Sequence, residues 1–252
     1  MKTKQNLQYL AVLASGMGLA AMVLRRMLYH SAVDAAGLLV RRHPLEIVLW
    51  ILTLTLVVLV LLGLRGTRNV RGYSRNYPAP RISAAGSGVM ALGLALTAVT
   101  GRASGTMGSL DFLLGLAAAA AMGAVTVCRV RQAKPYFLYH GLVCLFFAFH
   151  LIGRYRAWCG DPQLQDYVFS LFACVALMLF CYHQAALDGG CGQRRQQLTT
   201  GLLAVFFCLT ALSRTENPIL YFSGAIWTLT NLSALRGPEP DRSQEVTAHD
   251  PA

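Results

Sequence analysis

The chain has 252 residues, 55% hydrophobic and only 13% charged, with a mean hydropathy of +0.49 and a formal net charge of +11. A soluble domain carries about 25% charged residues, so this composition excludes an ordinary water-soluble fold. Eight nearly uncharged runs punctuate the sequence, at 5–24, 47–64, 82–101, 112–128, 135–153, 167–187, 196–213 and 217–235.

The first run follows Lys2 and Lys4 and ends at Arg25 and Arg26. It is longer than a secretory signal core and ends in arginines rather than at a small-residue cleavage site, so it is expected to stay as a helix. The second run is apolar on every face, rich in Leu, Val and Ile, and is expected to face lipid. The third, rich in Gly, Ala, Ser and Thr, is the weakest candidate for a span, and the helix count falls to seven if it does not span. The spacing Gly93, Thr97, Gly101 in the third run and Gly115, Ala119, Gly123 in the fourth predicts close packing of these two helices, because association in lipid relies on near backbone approach. The same small-residue faces would also suit a homo-oligomer or a membrane-protein partner.

The fifth and sixth runs carry Tyr139-His140 and Tyr182-His183, about one to two turns from the same membrane face if the helices are antiparallel neighbours. A heme or metal between His140 and His183 is one reading, since neutral imidazole is a common ligand. The plainer reading, that amphipathic rings suit the interface, carries more weight. Ser170, Cys174, Cys181 and Asp188 form one stripe on the sixth helix, expected to face the bundle interior. The eighth run contains Asn231-Leu232-Ser233, a glycosylation-type sequon placed where that machinery does not reach. Residues 236–252 turn polar and read as a disordered cytoplasmic tail.

Runs of about 20 apolar residues match a hydrocarbon core about 30 Å thick, and a membrane barrel would need about ten-residue alternating segments instead. The expected fold is therefore all-α: a polytopic integral membrane helical bundle of about eight transmembrane helices over 1–235, with the tail beyond it. Lys and Arg are retained on the cytoplasmic side. With the N-terminus inside, fourteen basic and five acidic residues fall on that side, against eight and six on the other. Both termini are thus expected in the cytoplasm, and compactness with this arginine bias points to a prokaryotic plasma membrane.

The connection 65–81 carries Arg65, Arg68, Arg71, Arg75 and Arg81 with Tyr73 and Tyr77 and no acid. Such a mixture can bind nucleic acid, but positive-inside retention accounts for it, and the expected partners are anionic lipid headgroups rather than nucleic acid. Of seven cysteines, Cys128, Cys144, Cys174, Cys181 and Cys208 lie in apolar runs as packing residues. Cys159 and Cys191 fall on opposite sides, and no CxxC or finger-like series suggests a metal site.

On the outer side, Arg25, Arg26, His150, Arg154 and Arg156 form a candidate anion-binding set, since the guanidinium fork matches a carboxylate or phosphate. Salt bridges to Asp161 or Asp166 are the structural alternative. No catalytic signature is present: there is no HExxH, no phosphate-binding loop and no paired carboxylates at helical spacing. The leading expectation is small-molecule, anionic-ligand binding or transport. The alternatives are a non-enzymatic accessory or scaffold subunit, and then a membrane enzyme acting on a phosphorylated or lipid-linked substrate.

Overall fold

The computed structural model describes residues 2–31, 43–65, 81–101, 106–159 and 167–235. Among these there are eight α-helices and no strand: α1 (Lys2–Ser31), α2 (Pro44–Gly63), α3 (Arg81–Thr100), α4 (Thr106–Val130), α5 (Phe137–Trp158), α6 (Val168–Gly189), α7 (Arg194–Ala211) and α8 (Pro218–Ala234). Each apolar run is a helix, including the small-residue third run. The tail 236–252, the centre of the 65–81 connection, and Arg41, Arg42, Asp161 and Asp166 lie outside the described residues.

Contacts between neighbours set the architecture. Helices α3, α4, α5, α6, α7 and α8 pack in that order, and α8 returns to α3, closing a ring of six. Trp227 of α8 reaches its centre, with ring centroids 5.0 Å from Phe180 of α6 and 6.1 Å from His140 of α5. Met90, Leu94, Met122, Phe146, Phe147 and Leu177 fill the rest. Helix α1 packs on α7 outside the ring, and α2 packs on α1. The helices alternate in direction, so one end, here the terminus end, holds the start of α1 and the finish of α8. The opposite end is the far end.

Six helices, α1 to α6, are long and apolar enough to cross a membrane. Helices α7 and α8 have 18 and 17 residues, about 26 Å at 1.5 Å per residue, slightly short of a hydrocarbon core. They are the inner elements of the assembly: α7 packs against α1, α6 and α8 and touches α2. That position explains how α7 tolerates Arg194 and Gln197, both buried, in a membrane bundle, because protein rather than lipid surrounds that face. Helix α2 shows the opposite pattern. Ile47, Ile51, Leu54, Val58 and Leu62 are exposed and only Leu49, Thr53, Leu56 and Val60 are buried, as expected of a lipid-facing helix.

Helix α3 does lie against α4, but the small residues are used differently from the sequence expectation. A Cβ on Gly93 would stand 2.4 Å from Ser223 Cβ, and one on Gly86 would stand 2.8 Å from Thr230 Cβ, both in α8. Gly86 and Gly93 therefore form the α3–α8 seam, seven residues apart on α3 against a matching separation on the antiparallel α8. The α3–α4 seam draws on Gly115, whose added Cβ would stand 2.9 Å from Ala98 Cβ. A Cβ on Gly123 meets nothing within 4 Å, so that position is not part of a close approach. The physical reason is that α3 has small residues on two faces, and the sequence does not say which neighbour takes which.

The α6–α7 hairpin at the terminus end needs glycine. Gly190 sits at φ 86°, the left-handed region that caps α6, and a Cβ on Gly192 would lie 2.5 Å from Leu187 N. The amides of Cys191 and Gly192 both donate to the Ala186 carbonyl at 3.0 and 2.9 Å, closing the helix end.

Candidate functional site

Polar side chains gather in two tiers, one toward each end of the bundle. In the terminus-end tier, His140 Nδ1 lies 2.6 Å from Asp188 Oδ2, with both side chains wholly buried. This geometry fits an Nδ1–H of His140 donating to the Asp188 carboxylate. His140 Nε2, Asp188 Oδ1 and the nearby Trp227 Nε1 are buried without a hydrogen-bond partner. Beside this pair, Gln197 Nε2 donates to Gln184 Oε1, tying α7 to α6.

The same tier buries a cation. Arg129, in the last turn of α4, donates through Nη1 to Ser83 O at 3.2 Å, Ser87 Oγ at 2.8 Å and Asn231 Oδ1 at 2.8 Å. Asn231 in turn donates to Trp227 O at 2.7 Å. One guanidinium thus joins α3, α4 and α8. The sequence places Arg129 just beyond the fourth uncharged run, as a connection residue, and Asp188 at the end of the interior stripe on the sixth helix. In the structure both belong to helices and are buried, because the helices continue past the last apolar residue and neighbouring helices cover them.

Of the two histidines read as a cofactor pair, the structure joins His140 to Asp188. The ring of His183 meets that of its neighbour Tyr182 at 5.3 Å and makes no contact with His140. Positions 183 and 188 stand about 140° apart around α6, so with Asp188 turned to His140, His183 points elsewhere. Among the described residues, no group of three or more His, Cys, Asp or Glu is arranged to hold a metal ion. The stripe of Ser170, Cys174, Cys181 and Asp188 is buried as expected. Cys174 Sγ lies 3.4 Å from the hydroxyl of Tyr221, which donates to Ser170 O at 3.2 Å.

At the far end the predicted arginines separate. Arg25 is buried against α7: it donates to Thr210 O and to Tyr29 Oη, each at 3.4 Å, and its guanidinium lies 5.2 Å from the centre of the Phe169 ring. Arg214 stacks on Tyr29 from the connection after α7, 4.5 Å from the ring centre. These contacts assign Arg25 to clamping α1 on the ring. Arg26, about 100° further round α1, is exposed and lines a separate cavity of about 290 Å³ with His30 and Ser213. Arg156 is exposed.

His150 and Arg154, one turn apart on α5, face one small cavity of about 150 Å³ together with Asp111 of α4. Its walls include Gly101, Gly108 and Gly153, which contribute no side chains. His150 Nδ1 is shared between the two Asp111 oxygens at 3.1 and 3.0 Å, and its ring stacks on Phe146 at 5.4 Å. Arg154 pairs through Nη1 with Glu216 on the short α7–α8 connection. Trp158 Nε1 donates to the other Glu216 oxygen at 3.4 Å. The Asn217 amide oxygen accepts from Arg154 Nη2 at 2.6 Å while its nitrogen donates to Glu216 O at 3.2 Å. Half of the Glu216 side chain remains exposed, at 49%.

Sequence reasoning placed His150 and Arg154 together and missed their partners Asp111, Glu216 and Asn217. Asp111 is 39 positions from His150 and Glu216 is 62 from Arg154, so no local spacing could reveal either pair. Asn231 carried a signal, an amide in an otherwise apolar run, which in a membrane calls for a partner.

The fold and these two tiers define the class: a polytopic helical membrane protein whose charged groups are gathered near the bundle ends. No protein-family model, curated protein or solved structure matches this chain, so its activity must be argued from its own residues.

Proposed function

We propose that the protein binds a small anionic solute, a carboxylate or phosphate, in the far-end cavity beside Arg154, facing away from the cytoplasm. The observation that carries this reading is the Arg154–Glu216 pair at a cavity lined by His150 and Asp111. The volume corresponds to about five waters at roughly 30 Å³ each, which suits a fragment of a few heavy atoms. Glu216 presents to Arg154 the group that a ligand carboxylate would present, on a short connection and with half its surface in solvent. Exchange of Glu216 for the ligand would replace one carboxylate oxygen on Arg154 Nη1 with another anionic oxygen, keeping the charge-assisted hydrogen bond. Asp111, tied to His150, is engaged on the imidazole and so competes less for Arg154.

The test is saturable binding of acetate, formate and inorganic phosphate to the detergent-purified protein, by calorimetry and thermal shift. Arg154→Ala should abolish binding, and Glu216→Gln, which removes the internal competitor, should strengthen it. Weaker binding in Glu216→Gln, or equal binding in Arg154→Ala, defeats the proposal.

The accessory-subunit reading draws on Gly123, a small residue on α4 with open space above it. Loss of a co-purifying partner in Gly123→Leu, with the fold intact, would favour it.

A further inference from the structure

At the terminus end, α1 and α8 both pack on α7 but barely touch each other. The gap between them is a groove of about 530 Å³, walled by Leu7, Ala11 and Val12 of α1 and by Leu229 and Leu232 of α8. We infer that this groove holds one acyl chain of an anionic phospholipid from the leaflet at the terminus end.

Three observations converge. The groove lies between α8 and α1, the latter long and apolar enough to cross a membrane, and a wall of leucine, valine and alanine offers water too few hydrogen-bond partners to stay. Its polar residues, Gln8, Thr230 and Ser233, occur toward the end where α1 begins and α8 finishes rather than midway along either helix. The charge is also on that side: α1 begins with Lys2 and Lys4, and Arg131, Lys134 and Arg195 lie at the same end of the bundle. Within a bilayer a chain gains no hydrophobic energy by leaving one hydrocarbon environment for another. Retention of a particular lipid must therefore come from the headgroup, and basic residues near the surface favour an anionic one. A second copy of this chain fits less well, because the groove mouth would bring two basic ends together.

Native mass spectrometry of the purified chain, exchanged into mixed micelles of detergent with dioleoylphosphatidylglycerol or dioleoylphosphatidylcholine, tests this. The expected result is one retained phosphatidylglycerol per chain, with phosphatidylcholine retained about tenfold less, a difference of about 1.4 kcal/mol. Ala11→Trp should fill the groove and remove the bound lipid. Val12→Trp, at a position 71% exposed, is the second variant because it narrows the groove from its open side with little demand on the core. Equal retention of the two lipids, undiminished phosphatidylglycerol in a folded variant, or a lipid-free dimer would each overturn the inference. None of these outcomes bears on anion binding at Arg154, which lies at the other end.

Discussion

His140 Nδ1 and Asp188 Oδ2 stand 2.6 Å apart between α5 and α6, and neither side chain has any exposed surface. Removing one member of such a buried pair leaves the other with no compensating group, a loss of about 3–5 kcal/mol. Asp188→Ala should therefore lower stability severely, whereas replacing both residues together with leucine should cost much less, because the desolvation penalty disappears with the charge. Unfolding of the single and double variants in detergent, followed by denaturant titration, gives the comparison. A double variant as unstable as Asp188→Ala would show that the pair does more than join two helices.

Arg129 depends on acceptors from α3 and α8. Asn231→Leu removes the acceptor at 2.8 Å and should destabilise by about 1.5–3 kcal/mol, the worth of a hydrogen bond to a charged group. Asn231→Asp keeps an acceptor of the same shape and adds opposite charge, so its stability should stay near or above that of the native chain. Thermal unfolding of the two variants side by side is the measurement, and the contrast between them matters more than either value.

The α3–α8 seam makes a steric prediction. Gly93→Ala places a Cβ 2.4 Å from Ser223 Cβ, which the helices relieve only by moving apart, at about 1–3 kcal/mol for overpacking. Gly123→Ala, with nothing within 4 Å of the added carbon, should be neutral or slightly stabilising through helix propensity. Ser223→Gly should restore part of the loss in the Gly93→Ala background and none in the Gly123→Ala background.

Topology is testable through two cysteines. Cys191 is exposed in the α6–α7 connection at the terminus end, and Cys159 is exposed after α5 at the far end. In intact cells, a membrane-impermeant maleimide should label Cys159 and spare Cys191, with the reverse in inverted vesicles. Labelling of both from one side would break the alternation of the helices. The exchanged pattern would keep the alternation and reverse the orientation read from the arginine count.

Helix number and rough boundaries were legible in the sequence because each helix is written locally as an uncharged run, six of them long and apolar enough to cross a membrane. Even the weak third run was readable in that way, although its glycines were assigned to the wrong neighbour. The interior stripe on α6 was equally legible, since four residues at helical spacing share a face whatever lies opposite. The candidate site was half legible: His150 and Arg154 are one turn apart on a single helix, while Asp111 and Glu216 arrive from other helices and connections.

The sequence by itself thus determined that this is a chain of membrane helices and that one face of α6 is polar. These follow from transfer of residues between water and hydrocarbon, a property each segment carries alone. Only the tertiary structure decided that His140 answers to Asp188 rather than to His183, that Arg129 is held by Asn231, and that Arg25 clamps α1 while Arg154 meets Glu216. Inside a bundle every buried polar group must find a partner, and the choice depends on which helices are neighbours and how each is rotated. That information lies in packing across distant positions, and no single run contains it.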